Sequence, residues 1–151
     1  MSNNKTKDAL NSFDQGYSCS QAVFSAYSED LGLDKKTAFK VSAAFGGGIA
    51  RTGETCGVIS GALMVIGHKY GKVDVNDQTS KEKTYLVAKE FINRFTEKHK
   101  NTRCNDLLGY DITTQDGLDT IKKKDLHSLV CKDLVKDAIE ILDSVLKEYQ
   151  L

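Results

Sequence analysis

Apolar residues recur along the chain at three- and four-residue spacings, and no alternating stretch is long enough to predict a strand. "KTKDALNSFDQG" predicts a short first helix ending at Gly16. "SCSQAVFSAYSEDLG" predicts a second, with Ser18 and Gln21 as a capping-box pair and Gly32 as its C-terminal stop. In "DKKTAFKVSAAFGGG" Asp34 caps a third helix and the glycines end it. A fourth, "TCGVISGALMVIGHKYG", sets Cys56, Ile59, Leu63, Ile66 and Tyr70 on one face. A longer fifth covers roughly Gln78 to Lys100, and "TRCNDLLG" forms a short helical turn capped by Thr102 and closed by Gly109. Tyr110 to Asp119 reads as a polar loop. The last helix, from about Ser128 to Tyr149, carries Cys131, Leu134, Val135, Ala138, Ile141, Leu142 and Val145 on one stripe. With no repeat, linker or low-complexity segment, the pattern predicts an all-α, single-domain bundle of about six to seven helices over residues 1–151.

The break before the fourth helix, "FGGGIARTGETCG", holds five glycines within thirteen residues. A phosphate cradle is one use of such a loop, but "GIARTGET" puts Glu54 where a P-loop has its lysine, and a helix rather than a strand precedes it. Close backbone approach and N–H donors are the better reading, which makes Gly46, Gly47, Gly48 and Gly57 candidates for contact with whatever Cys56 holds. Gly57 and Gly61 are four apart with Ala62 beside them, a small stripe that also suits tight packing of a neighbouring helix.

Lys plus Arg and Asp plus Glu both total 21, so the net charge of zero gives no drive toward nucleic acid or an anionic membrane. "MSNNKTKDALNS" has no apolar segment of the secretory kind, and the longest apolar run, Val58 to Gly67, is short for a membrane span. The expectation is a cytoplasmic protein with no nucleic-acid or membrane partner. In that compartment thiols stay reduced, and four cysteines read as ligands or redox groups rather than structural disulfides.

Cys19, Cys56, Cys104 and Cys131 contain no CxxC pair, which removes zinc-ribbon and thioredoxin patterns. On the helix starts above, each falls in a first turn, where free N–H groups and the helix dipole favour a thiolate.

The early cysteine after Gly16, the "FGGGI" loop, the "TCGxxxGA" element, and the single cysteines in "CNDLLGYDI" and the last helix together resemble the C_GCAxxG_C_C family of redox-active proteins. The likeness runs from Gly16 to about Leu142. Its central element stands as Cys56-Gly57-Val58-Ile59-Ser60-Gly61, with valine where the family has alanine. The resemblance implies that Cys19, Cys56, Cys104 and Cys131 are the metal or redox residues, and it links this cysteine domain to the iron–sulfur part of split-Soret cytochromes. Some relatives carry twin-arginine export signals; "MSNNKTKDALNS" does not read as one, so export is not the expectation here. The chain has no CxxCH, so c-type haem is not implied.

The expected cofactor is a [2Fe–2S] or [4Fe–4S] cluster on the four cysteines, used in electron transfer or redox sensing with a partner protein or as an oxidoreductase subunit. Alternatives are a metal-free thiol–disulfide protein, a structural zinc on the same cysteines, and four buried cysteines acting as small hydrophobes. No hydrolase or transferase motif is present. His127, four before Cys131, reads first as a solvent-exposed cap and second as a group that tunes the site or replaces a ligand; Arg51 and Glu54 in the glycine loop read as exposed charges or, alternatively, as lining the site. Asp106 and Asp111 read as exposed charges, His99 as part of a solvated helix end, and His68 as a structural group near the end of the fourth helix, where a cation suits the dipole. Tyr85, Phe91 and Phe95 on the fifth helix suit core packing or, alternatively, a partner or homodimer face.

Overall fold

The computed structural model describes residues 2–150, one short of each chain end. It is all helical: α1 Ser2–Asp14, α2 Cys19–Ala26, α3 Lys35–Ser42, α4 Gly57–Tyr70, α5 Gln78–His99, α6 Cys104–Leu108, α7 Gln115–Lys123 and α8 Lys132–Glu148. A 3-10 turn, Ala43–Phe45, extends α3, and a π-turn, His127–Cys131, leads into α8.

Side-chain caps account for the starts of α2, α3, α5 and α7. Ser18 caps α2 through the expected reciprocal pair with Gln21, and Asp34 Oδ2 accepts the Thr37 N–H at 3.1 Å to cap α3. Asp77 caps α5 and Thr114 caps α7 in the same way. The segment read as a polar loop from Tyr110 to Asp119 therefore contains a helix start. Gly117 lies in the first turn of α7 and hides it from a propensity reading, yet the position needs glycine. A Cβ there would fall 1.8 Å from the Asp111 carbonyl oxygen.

The core is built around α2, which packs against α1, α3, α4 and α8. Phe91 and Phe95 of α5, Ile59 and Ile66 of α4, Val23 of α2 and Ile139 and Leu142 of α8 are sealed from solvent. Phe91 and Phe95 are thus core residues and not a partner face, while Tyr85 is 56% exposed. Asp143 is the one charged residue of the buried set, and it accepts the Tyr27 hydroxyl at 2.7 Å. A second, smaller apolar cluster of Leu108, Ile112 and Ile121 joins α6 to α7.

α2 and α4 touch along the small stripe seen in the sequence. A Cβ on Gly61 would stand 2.8 Å from the Ser20 carbonyl oxygen and 3.1 Å from Val23 Cβ. In an open helix Gly→Ala stabilises by about 1 kcal/mol. Here Gly61→Ala should instead destabilise by about 1–3 kcal/mol, since backbone cannot yield as a side chain does. Urea unfolding checks this, and a stabilised variant would show that the two helices are not so close.

Candidate four-cysteine redox site

One cavity of about 940 Å³, partly open to solvent, is lined by Cys19, Cys56, Cys104 and Cys131, all the cysteines the chain has. It lies where the two apolar clusters face each other. Cys19 and Cys56 belong to the main core, while Cys104 and Cys131 pack against the smaller α6–α7 cluster. Each wall thus contributes two sulfurs.

Three cysteines stand at helix starts, Cys19 behind the expected Ser18 cap and the other two without the expected caps. Cys19 is the first residue of α2. Cys56 itself occupies the cap position of α4 in place of Thr55, and Cys104 opens α6 after Arg103 rather than Thr102. Cys131 departs from the pattern, closing the π-turn in the helix interior. Backbone pairing joins two of the positions. Cys56 N–H donates to the Thr102 carbonyl at 2.8 Å, and Cys104 N–H donates to the Glu54 carbonyl at 2.6 Å. The antiparallel bridge between Thr55 and Arg103 holds this pairing, reinforced by the exposed Arg103–Glu54 ion pair.

The glycine loop reaches the site through backbone. Gly47, Gly48, Ile49, Ala50 and Arg51 are consecutive left-handed residues with φ of 66, 67, 67, 52 and 61°. Left-handed backbone costs an L-residue about 1–2 kcal/mol, so Ile49, Ala50 and Arg51 are strained. Six-residue closures hold the strained turn in place without removing its strain: Ala50 N–H to the Ala44 carbonyl at 2.9 Å, Gly53 N–H to Gly47 at 3.1 Å and Glu54 N–H to Gly48 at 2.9 Å. Gly46 and Gly47 line the cavity. Gly48 does not, and lies under it with Cys104 Cβ 2.7 Å from where its own Cβ would be. Gly57 is where the site and the fold meet, because a Cβ there would stand 2.5 Å from Cys19 Sγ.

The thiols are electrostatically unequal. The Cys56 thiol and the backbone N–H groups of Ser20, Gly47 and Gly57 surround the Cys19 sulfur. The Cys56 thiol does most to lower the Cys19 pKa to about 7, and the three N–H groups add to it against the opposing effect of burial. Cys56 is pushed well above the ordinary thiol range, by the adjacent Cys19 sulfur first, then by burial and the Cys19 charge. Burial is the largest cause at the other two, with the Cys19 charge adding to it. Cys104 is pushed up to about 11 and Cys131 to about 12.

Of the other sequence candidates, Arg51 and His127 line the cavity, whereas Glu54 is engaged by Arg103 outside it. His99 is not solvated: its side chain is 17% exposed, stacks on Phe95 and lies 3.0 Å from Asp137. Tyr17, Leu107, Leu118 and Ile121 line the cavity without having been singled out by any motif. Only the i,i+3 pairing of Leu118 and Ile121 hinted that they share a face. Among the described residues, no three His, Cys, Asp or Glu side chains converge on a single metal-ion position.

An all-α chain with four cysteines around one cavity defines a class of redox domain, and comparison with known families gives it a place. Residues 17–145 match the model described as "Putative redox-active protein (C_GCAxxG_C_C)". The chain belongs to the C_GCAxxG_C_C family. No curated protein and no solved structure matches it.

Two outcomes follow from this geometry. In metal-free protein, iodoacetamide should alkylate Cys19 first, with a pH midpoint near 7, and the other thiols only at alkaline pH. Cys56→Ala removes the thiol donor and should move the Cys19 midpoint upward. Peptide mapping across a pH series reads both, and a single ordinary midpoint for all four thiols contradicts the arrangement. Ile49→Gly should raise stability by about 1 kcal/mol, because glycine takes the left-handed conformation freely and Ile49 is already 41% exposed.

Proposed function

We propose that this is a redox protein whose Cys19, Cys56, Cys104 and Cys131 hold an iron–sulfur cluster, serving electron transfer or redox sensing with a partner protein or within a larger oxidoreductase. The observation that carries this reading is that every cysteine in the chain lines the same cavity. A single zinc with bonds of about 2.3 Å would need its sulfurs converged within about 4 Å of each other. Four thiols on two facing walls, with no three at one ion position, suit a larger cluster better.

When bound, a cluster would supply one-electron transfer at a potential that the surrounding protein sets. The residues of the chain do the rest. Cys19 is ready as a thiolate near neutrality, while Cys56, Cys104 and Cys131 would each release a proton on ligation. Loading should therefore strengthen as pH rises. The Gly47 and Gly57 N–H groups on the Cys19 sulfur would raise the potential by stabilising added negative charge. The apolar walls limit water at the sulfurs.

The adjacent Cys19–Cys56 pair supports a second reading, in which these two thiols pass two electrons and two protons to a partner disulfide and themselves become a disulfide. Purification without oxygen separates the two. Iron with matching acid-labile sulfide and a visible charge-transfer band, lost in Cys104→Ser as well as Cys56→Ser, is the expected result. Zinc alone would point to a structural site. Metal-free protein with a reversible Cys19–Cys56 disulfide, indifferent to Cys104→Ser, would replace the cluster reading with the second one.

A further inference from the structure

The cavity is larger and more varied than four thiols require. Its volume of about 940 Å³ is near the upper end of the roughly 300–1,000 Å³ found for small-molecule sites, several times the space of an eight-atom iron–sulfide core. One wall, from α6 and α7 and the turn between them, is aliphatic: Leu107, Leu108, Ile112, Leu118 and Ile121. The charged groups on the lining are few. Asp14 is held by Lys132 at 2.9 Å, whereas Arg51 has no carboxylate or hydrogen-bond partner among the described residues. His127 is the other cavity residue able to carry positive charge.

Arg51 stands there at the end of the strained left-handed turn, with φ of 61°. Burial does not offset that strain, since Ile49, Ala50 and Arg51 are all exposed. The turn instead fixes two positions, the Gly47 N–H on the Cys19 sulfur and Arg51 on the cavity lining. Strain kept at a cavity without a packing return is a mark of a ligand-positioning segment. An unpartnered guanidinium presents a planar fork of N–H donors that matches two oxygens of a carboxylate or phosphate.

We infer that the cavity also binds a small organic oxyanion, its anionic head on Arg51 and its aliphatic body against the α6–α7 wall, beside the cysteines. This binding needs the cavity but not the metal, so its success or failure is independent of the iron and sulfide assay above.

Calorimetric titration of the full chain, purified without oxygen, tests it with hexanoate, hexyl phosphate, hexanol and inorganic sulfate as probes. Hexanoate or hexyl phosphate should saturate one site per chain, the tighter of the two identifying the head group. Hexanol and sulfate should each bind about tenfold more weakly or worse, because each lacks one half of the recognition. Arg51→Gly removes the guanidinium while suiting the left-handed backbone. It should leave the thermal midpoint unchanged or higher and weaken the probe about tenfold or more. Leu118→Asp, at a partly exposed wall position, should weaken it comparably. Absence of saturable binding at millimolar probe, sulfate binding as tightly as hexanoate, or an Arg51→Gly variant that binds unchanged would each overturn the assignment.

Discussion

The closest approach in the molecule that serves both fold and chemistry is that of α4 to the sulfur of Cys19. Only a hydrogen fits at Gly57, since a Cβ would stand 2.5 Å from Cys19 Sγ, and one turn later Gly61 meets the α2 backbone just as closely. That contact puts the start of α2 beside the start of α4, and so Cys19 beside Cys56. Their adjacency and the nearness of the Gly57 N–H to Cys19 then follow from helix packing alone. Glycine within a helix costs about 1 kcal/mol against alanine. Close packing of α2 on α4 and the sulfur contact return that cost.

The second half of the site is brought in by backbone pairing rather than by helix packing. The segment before Cys56 pairs with the segment before Cys104, and the α6–α7 cluster behind Cys104 also carries Cys131. Two cysteines thus move with the main core and two with a small apolar unit of limited burial. A ligand set divided in this way would tie the walls together when it closes on a shared centre. The left-handed turn of Gly47 to Arg51 lies beside this junction and meets both halves, through its N–H on Cys19 and its contact with Cys104.

The electrostatic inequality of the thiols comes from the same arrangement. Cys19 collects three backbone donors and a thiol donor, and it therefore holds negative charge near neutrality. That charge is felt by Cys56, which is buried, and by Cys104 and Cys131, which are partly buried, and each prefers its proton. One sulfur is ready and three are held back, although all four belong to the same residue type.

Sequence alone carried the helical class, the caps of α2 and α3, the small stripe on α4 and the identity of the four cysteines. Those features depend on neighbours within four residues or on residue type. It hid α7, whose required glycine weakens the local helical signal, and it could not show the π-turn before α8, which moves Cys131 away from a helix start. It marked Arg51 and His127 without deciding their place, and it misjudged His99, whose burial depends on Asp137 from α8. The cavity itself was beyond reading from the chain. Its walls come from segments separated by dozens of residues, and only packing of α2 on α4 and pairing of residues near Cys56 with those near Cys104 bring the sulfurs together.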